Sequence, residues 1–156
     1  MKSVSNVKSV LCFVQWEQSE KHSKYYKQCY LAKFKEDMKM SAIKAKNNYT
    51  GLNGCQRMNC AQAVISAFKE DFNIEDNIVE MFKNYGGGKA PDGLCGALYA
   101  VKYIMSRQEN KEKLAELENY FKEHAGALEC SNIRGLRKLS CVGCVEKSSE
   151  FLEKLC

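Results

Sequence analysis

A chain of 156 residues, 45% hydrophobic and 28% charged, has enough apolar material for one core and too little length for two ordinary domains. Its net charge of +5 is spread as lysines among glutamates, not gathered into a patch, so a nucleic-acid partner is not expected. No run approaches the ~20 apolar residues of a membrane span, and "SVLCFVQW" contains Gln15 and lacks a following small-residue cleavage site, so the expectation is no membrane insertion and a cytoplasmic location.

Residues 1–48 read as an N-terminal extension carrying a polar helix from Lys21 to Lys46. In that helix Tyr25, Tyr26, Cys29, Tyr30, Ala32, Phe34, Met38 and Ile43 recur at helical spacing. Residues 49–156 read as a cysteine-rich helical domain. "YTGLNG" ends the first helix, and Asn59 is placed as the N-cap of "CAQAVISAFKEDF", whose Ala61, Val64, Ile65 and Phe68 form one apolar stripe. "IEDNIVEMFKNY" puts Ile74, Ile78, Val79 and Phe82 on one face and is expected to stop at Gly86. "NYGGGKAPDG" then forms a turn before "LCGALYAVKYIMS", a buried helix with Leu94, Leu98, Val101, Ile104 and Met105 inward.

"NKEKLAELENYFKEHAG" is amphipathic through Leu114, Leu117, Tyr120 and Phe121 and closes at Gly126. "CSNIRG" reads as a turn or a single helical turn. Ser140 caps a terminal helix, "CVGCVEKSSEFLEKL", with Val142, Val145, Phe151, Leu152 and Leu155 on one side. No alternating run of β-branched residues bounded by turns appears, so the fold class expected is all-α, an irregular bundle of five or six helices.

Nine cysteines stand at 12, 29, 55, 60, 95, 130, 141, 144 and 156. An odd total in a reducing compartment points to metal binding or redox chemistry more than to a static disulfide framework. Cys60, Cys95 and Cys141 each fall in the first turn of an expected helix, and Cys130 follows another. Unsatisfied amide donors and the positive end of the helix dipole favour thiolate over thiol there. The glycine run fails as a phosphate loop, because Lys83 stands where the first glycine of a Walker pattern belongs and Ala90, not Ser or Thr, follows Lys89. A weaker anion-binding role for its amides and Lys89 stays open. His124 lies six residues from Cys130 in a charged stretch and reads as a surface residue, with service as a base for Cys130 the alternative.

Four blocks together resemble the putative redox-active proteins named after a C-GCAxxG-C-C cysteine pattern. They are "GCQRMNCAQAV" with Cys60, "YGGGKAPDGLCGALYA" with Cys95, "YFKEHAGALECSNIRG" with Cys130 and "CVGCVEKSSEFLEKL" with Cys141. The resemblance covers about Tyr49 to Leu155. It departs from the pattern at Ala100, where the pattern ends in glycine, and at Cys144, an added sulfur that leaves two candidates for the fourth cysteine. The resemblance implies a small helical protein that depends on its cysteines, with no reaction specified.

Three mechanisms are open on these residues. Cys60, Cys95, Cys130 and Cys141 could be the thiolate ligands of a [2Fe–2S] cluster serving electron transfer, or of a tetrahedral zinc ion. Cys141-x-x-Cys144 could exchange thiol for disulfide. A third reading is a non-enzymatic redox sensor or binding partner, with the small face of Gly96, Ala97 and Ala100 available for a second helix or a homodimer. The expected partner is a redox protein or a small-molecule electron carrier.

Overall fold

The computed structural model describes residues 40–108 and 111–155. These residues hold seven α-helices: α1 over 40–50, α2 Cys60–Ala67, α3 Asp76–Met81, α4 Gly96–Arg107, α5 Leu114–Ala125, α6 Cys130–Leu136 and α7 Cys141–Leu155. The all-α class is as expected. There is no strand among the described residues, and the helix count exceeds the expected five or six because "CSNIRG" forms a helix of its own.

Most of the helix expected from Lys21 to Lys46 lies outside the described residues, Tyr25 through Met38 included. The described part runs on to Thr50, whose hydroxyl donates to the Lys46 carbonyl at 2.9 Å, and Gly51 then leaves the helix at φ 75°. Ile43 is 58% exposed, contrary to its expected place in the apolar stripe. The buried side of α1 is instead Ser41, Ala45 and Asn48, spaced by four and three residues. Ser41 donates to Asp71 at 2.7 Å, the Ala42 amide donates to Glu153 at 3.0 Å, and Lys46 pairs with Glu146 at 2.6 Å. The last two fix α1 against α7, the first ties it to the turn after α2, and together they bring Tyr49 to the site.

The centre is the pairing of α2 with α4, closed by α7 and α5. Ala61, Val64, Ile65, Phe68, Ala97, Leu98, Val101, Ile104, Leu117, Phe121, Val145 and Leu152 are all buried in one core. Burial of each large apolar side chain supplies about 1.5–3 kcal/mol. Gly96, Ala97 and Ala100, offered above to an outside partner, are all buried within the chain, Gly96 beside Ala61 of α2. Ala100, where the family pattern has glycine, fits the core with no exposure.

After Met81 the chain tightens into a 3₁₀ segment, Phe82–Gly88. Phe82 stacks on Tyr99 and meets Tyr85 and Tyr103 edge-on, with centroids 5.2–5.6 Å apart. Gly86 is not the helix stop expected of it: its backbone is extended, at φ −76° and ψ 157°, and the left-handed turn falls on Gly87 at φ 67°. What requires glycine at 86 is proximity. A Cβ there would lie 2.5 Å from Cγ of Asn59.

A cysteine-lined cavity at four helix starts

Four cysteines begin four different helices. Cys60 is the first residue of α2, Cys130 of α6 and Cys141 of α7, and Cys95 is the residue that caps α4. Side-chain caps set two of the starts, those of α2 and α7, and are absent at those of α4 and α6. The Asn59 side chain accepts from the Gln62 amide at 2.9 Å, and Ser140 accepts from the Gly143 amide at 3.1 Å, satisfying donors that a helix end otherwise leaves bare. Asn59 also donates to the Lys83 carbonyl at 2.8 Å, tying the start of α2 to the glycine loop.

Two contacts draw the separate starts together. The Cys95 amide donates to the Leu128 carbonyl at 2.9 Å, and Leu94 pairs with Glu129 as an isolated antiparallel bridge, so the lead-ins to Cys95 and Cys130 run side by side. Gly96 lets α4 press onto α2: a Cβ on it would be 2.6 Å from the Tyr85 carbonyl oxygen and 3.0 Å from Sγ of Cys60. The glycine loop crosses the same place. Gly87 gives its amide to the Cys60 sulfur, and a Cβ on Gly88 would sit 3.1 Å from Cβ of Cys130. The loop's Gly87 amide thus serves a sulfur, and the exposed Lys89 does not line the cavity.

Cys60, Cys95, Cys130, Cys141 and Cys144 all line one cavity of about 630 Å³. Every sequence-predicted site residue is thus brought to one place, the accessory Cys144 included. Cys55 is partly buried outside it, and Cys12, Cys29 and Cys156 lie outside the described residues. His124 does not approach: its Nδ1 is 2.8 Å from the Tyr120 carbonyl and its ring lies against Tyr120.

The sulfurs are electrically unequal. The Cys144 thiol donates to Cys95, and with amides of Leu98 and Ala97 and the Arg134 charge this outweighs burial, lowering the Cys95 thiol from 9.0 to about 7. Cys144 is raised, first by that same bond and then by burial. Burial also raises Cys60, against the amides of Gly87 and Ala61, and raises Cys130, against Arg134. Around Cys141 the donors are side chains. Burial and the Cys141 sulfur push the Tyr49 hydroxyl up to about 12, so it stays a donor, and Arg134 bonds the same sulfur.

Tyr49 and the arginines are the site residues that sequence reasoning missed. A usable signal existed for Arg134, which stands four residues after Cys130 and so one turn along the same face of α6.

A scan against family models matches residues 58–155 to the family described as "Putative redox-active protein (C_GCAxxG_C_C)". The chain belongs to this family. Searches of curated proteins and of solved structures each gave no match. Among the described residues no helix is long and apolar enough to cross a membrane.

Four thiolates, with amide or side-chain donors turned to them, are the ligand chemistry of iron–sulfur and zinc sites. Among the described residues, however, no three His, Cys, Asp or Glu side chains are gathered closely enough to hold a single ion. One tetrahedral zinc would need all four sulfurs about 2.3 Å from one point. An iron–sulfur cluster shares its four thiolates among more than one iron and so does not require the sulfurs to converge on a single ion.

Proposed function

We propose that this member of the family is an electron-transfer protein in which Cys60, Cys95, Cys130 and Cys141 hold a binuclear iron–sulfur centre. The observation that carries the reading is that four cysteines starting four different helices open on one cavity. A disulfide exchange needs two sulfurs; four on separate helix ends suit one shared centre. When bound, such a centre supplies one-electron chemistry at a potential set by charge, burial and hydrogen bonds to sulfur. The chain's own groups act on those terms. Gly87 and Ala61 give amides to Cys60, Ala97 and Leu98 to Cys95, and Tyr49 and Arg134 give side-chain donors to Cys141. The six described cysteines are all unpaired, which supports a reducing compartment, the cytoplasm.

A second reading rests on the Cys95–Cys144 contact, which differs from the Cys141-x-x-Cys144 pair suggested by spacing. The Cys95 thiolate would attack a partner's disulfide and expel one partner thiolate. The Cys144 sulfur would then displace the other, its proton passing to the released thiolate, leaving a Cys95–Cys144 disulfide and a two-electron-reduced partner.

Anaerobic purification with an absorption spectrum, iron and zinc analysis and a thiol count separates the two. Two irons per chain with visible charge-transfer bands support the centre. Metal-free protein that loses two thiols on mild oxidation, with Cys95 and Cys144 joined on peptide mapping, sinks it in favour of exchange.

A further inference from the structure

Only four of the 24 basic residues are arginines, Arg57, Arg107, Arg134 and Arg137, and three of these line the cysteine cavity. No lysine, histidine or carboxylate among the described residues lines it. In a lysine-rich chain, the cavity's cations are thus all of the type whose planar fork binds oxyanions through two parallel N–H bonds. Arg134 is committed in part to the Cys141 sulfur. Arg57 and Arg137 make no ion pair with a described carboxylate, whereas lysines elsewhere pair readily, as Lys46 does with Glu146 and Lys102 with Glu118.

The backbone shows what these side chains override. Arg137 caps the end of α6 in the left-handed region, at φ 51°, where glycine is the usual occupant because any Cβ is disfavoured. Arg57 lies across the turn at Gly51, where an added Cβ would stand 3.3 Å from Cβ of Arg57. Arg57 and Arg137 are both exposed residues that line a concavity whose ~630 Å³ falls in the range of small-molecule sites, unlike the flat face a protein partner covers.

We infer that the cavity binds a small oxyanion, a carboxylate- or phosphate-bearing molecule, held by Arg57 and Arg137 next to the sulfurs. The ligand is then the electron donor or acceptor of the site, or an anion that controls access to it. Its purpose rests on the redox reading above, but its detection does not.

The test is calorimetric titration of the full chain with inorganic phosphate and with succinate, each replacing chloride at constant ionic strength, with metal content measured on the same sample. Saturable one-to-one binding of at least one anion is expected. It should weaken at least tenfold in R57Q/R137Q and at least threefold in R137K, which keeps the charge and loses the fork. R107Q, whose guanidinium lies over the Tyr103 ring away from the cavity, should stay within twofold of the parent. If circular dichroism shows that the double variant is unfolded, R137K against R107Q decides. No saturable binding, or equal affinity in the arginine variants, overturns the inference. Binding of a poly-glutamate peptide but of neither small anion overturns it in favour of an acidic protein surface. A sample without metal that still binds anion through the arginines counts against the iron–sulfur centre alone.

Discussion

Gly96 is where the fold and the site constrain each other most tightly, and replacing it with alanine tests that directly. The new methyl carbon would meet the Tyr85 carbonyl oxygen at 2.6 Å and both Cβ of Ala61 and Sγ of Cys60 at 3.0 Å. The first of these is backbone and has no rotamer by which to retreat. Overpacking of a close-packed interior costs about 1–3 kcal/mol, against which alanine recovers at most ~1 kcal/mol of helix propensity. The net expectation is a loss of about 1–2 kcal/mol, or several degrees in Tm, together with displacement of Cys60 from Cys95. Gly135 is the control, since it lies in α6 with nothing within 4 Å of an added Cβ. There alanine should gain about 0.5–1 kcal/mol. Urea denaturation of the two variants, compared at unchanged m, gives the answer. A Gly96→Ala protein as stable as the parent would refute the packing described for α2 and α4.

Asn59→Ala removes a cap at 2.9 Å and a bond to the glycine loop at 2.8 Å, and should cost about 2 kcal/mol in urea melts; Asn59→Asp, which keeps the cap, should cost less. In the metal-free protein Cys95 should alkylate with a pH midpoint near 7, and Cys144→Ala should move that midpoint upward by removing the donor that lowers it. Because the Cys95 pKa is lowered on folding, this site binds more protons in the unfolded chain between about pH 7 and 9, so its contribution to stability rises with pH across that window and is lost as pH falls through 7. Cys60, Cys130 and Cys144, raised on folding, act with the opposite sign toward pH 9, so the Cys95 trend is read as the difference between melts of the parent and of Cys95→Ser at fixed ionic strength. Arg134→Gln removes a charge that lowers both Cys95 and Cys130, so in the metal-free protein both thiols should alkylate more slowly below pH 8, as followed by peptide mass spectrometry.

The helix starts were legible because their signals are local. Asn59 before Cys60, Ser140 before Cys141 and Gly126 after "KEHA" are caps that one turn of chain decides, and all three serve as read. The α6 helix was less legible: seven residues carry too little periodicity to separate a helix from a turn. The glycine loop was misread in detail, since Gly86 is needed for its approach to Asn59, 27 residues earlier in the chain, and no local pattern encodes that approach. The same holds for Cys144. Spacing pairs it with Cys141 one turn away, but α4 packing on α7 pairs it with Cys95. Tyr49 comes to the site only through tertiary packing, whereas Arg57 and Arg137 stand three and four residues before Cys60 and Cys141 and are passed over among lysines spread along the whole chain.

The iron–sulfur account is tested most directly by iron stoichiometry across single cysteine-to-serine variants purified anaerobically. Two irons per chain in the parent, kept in Cys55→Ser and Cys144→Ser and lost or sharply reduced in Cys60→Ser, Cys95→Ser, Cys130→Ser and Cys141→Ser, is the predicted pattern. Full iron content in any one of those last four, or no iron in a correctly folded parent, would contradict it.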